Sequence, residues 1–427
     1  MGWVVPRLRV GAVAVICACL VFATADTVSV SAASIEDRAA IQDLLDVRAR
    51  AFLERNESGF MATVSRLDNA FVTRQRQTFR WTDEVALDSY ELTADWKRYG
   101  DLVTDSVRSR YPEADDVAVT SVEERYALTG FDSEPAVEDL YLTFVKIDGS
   151  WLVAGDADLD NLTLYSARHL WDFDRLTTER RGRFLLLSHP CTRGEPCGRA
   201  PAGATAIASA ALERVEDHWP VRWRKRVTVL VPRDANELER LLQVTFDVDN
   251  FVAFATSTVD VRGGIDYTGH RIVLNPAAFD GRPSESTFEI LAHELLHLAT
   301  RDSSGPFIPV WVEEGFAEYV GTAADPEDLA SFNADVAAGL FDRRIPEDFE
   351  FTIGSRTDIF TSYQESLSAV HFFIDRWGIR KFIRFYRLLG RVEIARGTAR
   401  WHIDHALRKT VGVDFDRFER AWAGSLS

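Results

Sequence analysis

The chain reads as an α+β protein of two domains, and three observations predict this. Its 427 residues are more than one typical core organises. In the N-terminal part, a long amphipathic helix precedes segments that alternate apolar and polar residues, the pattern of an antiparallel sheet with one solvated face. Beyond residue 185, short strand-like runs alternate with helical ones to form a small mixed sheet, and from 286 onward the pattern is mostly helical.

The elements follow in order. Arg7 and Arg9 precede Val10–Ala25, an apolar run without a charge. Ala23-Thr24-Ala25 then resembles a signal-peptidase site, and Asp26 opens a polar stretch. Residues 1–25 are therefore expected to be a secretory signal peptide. The rival reading is an uncleaved membrane anchor through residues 10–25. Either way the protein is expected to be secreted or associated with the cell envelope. Residues 35–55, IEDRAAIQDLLDVRARAFLER, carry Ile41, Leu44, Leu45 and Phe52 at helical spacing. VAVTSVEERYALTG (117–130) and VEDLYLTFVKIDGSWLVAGDADL (137–159) alternate as strands. Asp148-Gly149, between Lys146-Ile147 and Trp151-Leu152, is a hairpin turn. The boundary falls in 162–185, with 166–185 expected as a linker between units at 26–165 and 186–427. RFLLLSH (183–189) reads as a strand and ALERVEDHWP (211–220) as a helix. RVTVLVP (226–232) is a strand ended by Pro232. DANELERLLQ (234–243) is a helix capped by Asp234, and GHRIVLNP (269–276) is a further strand.

Composition excludes several classes. A net charge of −17 argues against a nucleic-acid partner, which needs a basic face. No internal repeat marks a solenoid. Of four cysteines, Cys17 and Cys19 lie in the apolar leader, while Cys191 and Cys197 share the Pro/Gly-rich stretch HPCTRGEPCGRAP. In an exported protein that pair is expected to form a small disulfide loop, since two thiolates alone do not fill a zinc site.

A long helix followed by a meandering curved sheet resembles the NTF2-like (SnoaL-like) cone fold over about residues 35–160. The resemblance implies a domain that packs, binds a partner or positions a substrate. No acid–base pair in it stands out from the sequence.

The chemistry is carried by ILAHELLHLA (290–299), in which His293 and His297 stand at i and i+4 around Glu294. That spacing puts both imidazoles on one helix face, where they reach a common ion. It is the HExxH pattern, with Glu294 as general base on zinc-bound water. Ser286 and Glu289 form an expected capping box, and the flanking Ile290, Leu291, Leu295, Leu296 and Leu298 bury the helix on most sides. Two buried histidines and a glutamate are costly without a partner charge, which a dication supplies. TRDSSGPFIP (300–309) breaks this helix, and Pro309 opens the next, which carries WVEEGFAEYV (311–320).

HELLH followed by WVEEGFAEY resembles the gluzincin metallopeptidases, particularly secreted peptidase MA-like domains and, more distantly, the aminopeptidase pattern WLNEGFA. The resemblance covers roughly 180–425. It includes TSYQESLSAVHFFIDRWG (361–378) as the helix after the metal site and DFDRFERAWAG as the closing helix. It implies a zincin-like domain with one Zn2+ per chain, in which Glu314, 17 residues after His297, is the third ligand. Glu313 stands where the aminopeptidases have asparagine, and no GAMEN-like segment implies amino-terminus recognition. The helical wheel agrees. Glu318 shares a face with Glu314 and is expected to hydrogen-bond a ligand histidine from outside. Glu313 is turned by about 100° towards the cleft wall or solvent. Gly315 is expected to let this helix approach the HExxH helix closely. Tyr363 is the chosen donor to the developing oxyanion, with His371 as the alternative. His402 and His405 are given no metal. Strand 269–276 is expected as the edge that pairs with extended substrate. Together these imply an exported zinc metallopeptidase acting on a peptide or protein. The alternative is a non-catalytic, zinc-containing binding or scaffold protein of the cell envelope.

Overall fold

The computed structural model describes residues 33–191, 204–244, 248, 251–262, 266–279, 284–305, 307–322, 336, 338–339, 343–351, 353, 355–391 and 398–426. The leader segment 1–25 and Cys197 lie outside the described residues. Cys191 is disulfide-bonded. Among the described residues no helix is long and apolar enough to cross a membrane.

The fold is α+β, as expected. The N-terminal unit runs α1 (Ile35–Leu53), α2 (Glu57–Ala62), α3 (Asn69–Trp81), β1 (Leu87–Asp95), α4 (Asp105–Arg108), β2 (Asp116–Leu128), β3 (Ala136–Ile147) and β4 (Ser150–Gly155). Ser34 caps α1, its Oγ accepting from the Asp37 N–H at 3.1 Å. The four strands form a curled antiparallel meander in the order β1-β2-β3-β4. At the β3–β4 turn Asp148 and Gly149 both have positive φ, 49° and 77°, the backbone that an Asp-Gly hairpin turn adopts. Ile41 and Leu45 of α1 are buried in one core with Phe71, Val122, Phe144 and Val153. Alternation in the sheet and the apolar stripe of α1 therefore close on each other.

The second unit begins inside the stretch expected as a linker. Thr177–Arg181 is β5, hairpinned onto β6 (Phe184–Ser188) through Gly182 at φ 58°. The sequence TTERR hides this strand, because it lies at a sheet edge, largely exposed, and carries no apolar side chain. There follow α5 (Ala204–His218), β7 (Val227–Val231), α6 (Ala235–Leu242), β8 (Ala253–Asp260), β9 (Asp266–Leu274), α7 (Pro276–Phe279), α8 (Ser284–Thr300), α9 (Val310–Thr322), α10 (Arg356–Trp377), α11 (Ile379–Leu389), α12 (Ala399–Thr410) and α13 (Phe415–Ser425). Asp234 caps α6 as expected, its Oδ1 accepting from the Glu237 N–H at 3.0 Å. The sheet order is β5-β6-β7-β9-β8, with β6–β7 and β7–β9 parallel and the outer pairs antiparallel.

This order corrects one expectation. The strand containing 269–276 is not an edge; β9 is hydrogen-bonded on both sides, by β7 and β8. Burial of Ile272, Val273 and Leu274 reflects that central position. The edge on that side is β8, and β3 of the N-terminal unit lies against it. Val137 N–H donates to Thr258 Oγ1 at 2.9 Å, and Arg125 pairs with Asp260. Gly269, at φ 57°, comes so close to Ala136 that an added Cβ would lie 2.6 Å from its methyl. Arg271 and Asp132, each 5% exposed, form a two-pronged ion pair at 2.6 and 2.7 Å across the same seam.

Candidate metal centre

Two buried helices build the site. α8 packs against α5, α9 and the sheet strands β8 and β9, so it has little solvated face. Ile290, Leu291, Leu295, Leu296 and Leu298 are all buried, as the apolar wheel requires. The helix starts at Ser284, two residues before the expected capping serine, so Ser286 and Glu289 lie inside its first turns and do not cap it. α9 follows a break at Ser303-Ser304-Gly305. The Pro309 carbonyl accepts from Val312 N–H at 3.0 Å, and Asp348 Oδ1 accepts from the otherwise orphaned Val310 N–H at 2.8 Å. α9 then packs between α8 and α10.

The structure brings the three expected ligands together. His293 Nε2 and His297 Nε2 are 3.0 Å apart. Glu314 Oε2 lies 3.2 Å from the first and 3.3 Å from the second. One donor atom from each residue falls within 4.8 Å of the others, and all three residues are buried. Among the described residues no other group of His, Cys, Asp or Glu converges in this way. The donor set suits zinc, since two imidazoles and a carboxylate leave one tetrahedral position open. Tetrahedral bonds of about 2.0–2.1 Å place ligand atoms about 3.3 Å apart, close to the spacings found.

Glu318 Oε1 lies 3.1 Å from His293 Nδ1, on the far side of the ring from Glu314. A carboxylate that accepts the Nδ1 proton of a histidine leaves its Nε2 lone pair for an ion and fixes the ring's rotation. Burial raises the pKa of the Glu314 carboxyl. The positive field of the adjacent His297 and His293 outweighs that and holds it well below the usual carboxylate range. Glu294, 2% exposed, sits on α8 between the two ligand histidines in sequence.

Two details of α9 differ from expectation. Glu313 faces neither solvent nor a cleft wall. It is 2% exposed and accepts from Tyr386 Oη at 3.3 Å, and that hydroxyl also meets Ser304 Oγ at 3.0 Å. The helical wheel gives the direction of Glu313 but not that α11 lies there, more than 60 residues downstream. Gly315 serves a different contact from the one expected. A Cβ on it would lie 2.4 Å from the Ser366 carbonyl oxygen, so the close approach is to α10 and not to the HExxH helix.

Of the two oxyanion-donor candidates, the structure brings only Tyr363 to the ligands. It is 3% exposed on α10, with its ring centroid 6.5 Å from that of His293. His371 pairs instead with Asp375 at 3.0 Å and packs on Tyr319. His402 stacks on Phe307 and His405 on Trp401.

Sequence reading also passed over a polar cluster in the N-terminal unit. There Glu124 accepts from Tyr90 Oη at 2.6 Å and lies 2.6 Å from His169 Nε2. Glu124 alternates as an ordinary strand residue, and its partner lies 45 residues downstream, outside any local motif.

No protein-family model and no curated protein matches the chain. A solved structure described as a mutant of a two domain M1 zinc metallopeptidase bound to L-arginine is similar at 14% identity and a TM-score of 0.35. The similarity covers 73% of this chain and 61% of that one, so the chain spans about three fifths of the length of that structure. At that level the likeness carries no argument, and the site rests on its own geometry.

Proposed function

We propose that this protein is a zinc-dependent peptidase that acts outside the cytoplasm. The observation that carries the reading is the convergence of His293, His297 and Glu314 on one buried point, with Glu294 on the same helix. His293, His297 and Glu314 would hold the ion. When bound, zinc supplies Lewis acidity and lowers the pKa of water. Glu294 takes a proton from the attacking water as its oxygen adds to the peptide carbonyl carbon. It returns that proton to the amine nitrogen as the C–N bond breaks. Tyr363 donates its hydroxyl proton in a hydrogen bond to the oxygen on which negative charge gathers. Glu318 keeps His293 in the tautomer and rotation that ligation needs. The apolar N-terminal leader supports export, and amino-terminal sequencing of the secreted protein is expected to begin at Asp26.

The test couples metal content to hydrolysis. Purified full-length protein is expected to contain about one zinc per chain and to cleave members of a quenched-peptide library. Chelation should stop cleavage, and zinc should restore it. A stoichiometric zinc without hydrolysis of any peptide would favour the binding or scaffold alternative.

A further inference from the structure

At one end of the second sheet, neighbouring strands carry opposite charges. Arg224 and Arg226 precede β7, whereas β9 opens on Asp266, and Asp302 follows α8 on the same side. Between these residues and the β2–β3 loop of the N-terminal unit lies a cavity of about 490 Å3, which all four line together with Glu134. Small-ligand sites commonly measure about 300–1,000 Å3 and favour boundaries between domains.

Two acids on the wall are already matched. Asp132 pairs with Arg271, and Asp260 pairs with Arg125. Arg301, 1% exposed, lies 5.5 Å over the ring of Tyr267. The remaining charges do not pair across the cavity. Arg226 donates to the Gly130 carbonyl at 2.7 Å, and among the described residues neither it nor Arg224 meets a carboxylate. Trp223, beside Arg224, is 9% exposed on the same wall, and its indole N–H has no partner among the described residues. On the β9 side, burial and the negative field of Asp266 push the Asp302 carboxyl above its usual range. A bound cation would relieve that repulsion.

The backbone is also shaped at this place. Thr256 pairs with Arg271 and Thr258 with Thr268, so Gly269 and His270 together face Ser257 alone. This is a β-bulge with a left-handed glycine, Gly269 at φ 57°, a device that re-aims the side chain beside it. That side chain is His270, on the cavity wall. Its Nδ1 lies 2.8 Å from Ser257 Oγ, and its Nε2 lies 3.9 Å from Asp302 Oδ1, too far for a hydrogen bond. Burial and the positive fields of Arg301 and Arg271 draw its pKa down to about 4, so the imidazole is neutral near pH 7 and leaves the Asp302 charge unmatched.

We propose that this cavity binds a zwitterion of the length of a di- or tripeptide, with its carboxylate on Arg224 and Arg226 and its ammonium on Asp266 and Asp302. β7 and β9 are paired neighbours, so the two charged walls are about 4.8 Å apart at the backbone, plus the reach of their side chains. Two or three residues at about 3.5 Å each span such a gap. The inference does not rest on the zinc reading, because these residues hold none of the ion's ligands.

Calorimetric titration of 6-aminohexanoate into the full chain tests it. This zwitterion has no peptide bond, so binding is read separately from hydrolysis. Saturable binding is expected for it and for triglycine, with hexanoate and hexylamine at least tenfold weaker. Arg224→Gln and Asp302→Asn should each weaken 6-aminohexanoate binding at least tenfold. Both side chains are exposed, so the melting temperature should stay the same. Absence of saturable binding to the wild type would overturn the proposal. Equal binding of hexanoate would show that the acidic wall reads no ammonium, and equal binding of hexylamine that the arginines read no carboxylate; either result would overturn it too. Unchanged binding by both variants would place the ligand elsewhere and sink the assignment of this cavity.

Discussion

In the proposed reading hydrolysis turns on Glu294, which follows His293 on α8, is buried and is not needed to hold the ion. Glu294→Gln keeps the shape and removes the base. The variant should retain zinc and lose about 10²–10⁴-fold in kcat/KM on a quenched peptide. Retained zinc with unchanged turnover would remove Glu294 from the mechanism. Glu318 makes a different demand. Its carboxylate oxygen lies 3.1 Å from His293 Nδ1. Glu318→Gln should weaken zinc binding about 10–100-fold in chelator competition and lower turnover only at limiting zinc. An unchanged affinity would make Glu318 a packing residue. The placement of His293 with His297 and of Glu318 with Glu314 is legible in the sequence because i,i+4 spacing on a helix fixes which side chains are neighbours. Glu313 shows where that reading stops. Its direction follows from the wheel, but its acceptor role depends on Tyr386, which reaches it only through the packing of α11.

At the scale of elements, the site depends on how closely three helices approach. α9 can meet α10 only because position 315 lacks a Cβ; the Ser366 carbonyl oxygen and the Val370 methyl occupy that space. Gly315→Ala must push the helices apart and carry Glu314 with them. It is expected to cost about 1–3 kcal/mol in urea unfolding of the apoprotein. It should also lower zinc affinity, because a shift of a few tenths of an ångström at α9 acts directly on the ligand. Unaltered stability and affinity would mean that α10 yields freely. What the sequence shows of the elements follows the same physics. α1, α6, α8 and the Asp148-Gly149 hairpin are local patterns of periodicity, capping and turn chemistry, and all four appear in the fold. β5 carries no apolar residue, and the start of α8 lies before the serine chosen as its cap. Both were misplaced because their boundaries are set by sheet pairing and helix packing and not by a local signal.

For the whole molecule, the question is whether the N-terminal unit is a passive neighbour or part of one cooperative structure. It covers β8, the edge next to the metal-bearing half, and the seam is fixed by Arg271 and Asp132, both almost fully buried. A surface pair would matter little, but this one has little solvent to replace either partner. Asp132→Asn leaves the Arg271 charge buried with one carboxylate oxygen fewer to meet it. It is expected to cost about 3–5 kcal/mol in equilibrium unfolding. Replacing both residues, as in Asp132→Leu with Arg271→Met, removes the stranded charge and should recover most of that loss. The order of these effects is the informative result. If the single variant is weaker than the double, the pair fixes how the two units dock without adding much net stability. Tryptophan fluorescence and far-ultraviolet circular dichroism should then give one coincident transition for the wild type and two for Asp132→Asn, as the units begin to unfold separately. Coincident transitions in every variant, with losses under about 0.5 kcal/mol, would show that the seam is held by its apolar and backbone contacts and that the ion pair is incidental to it.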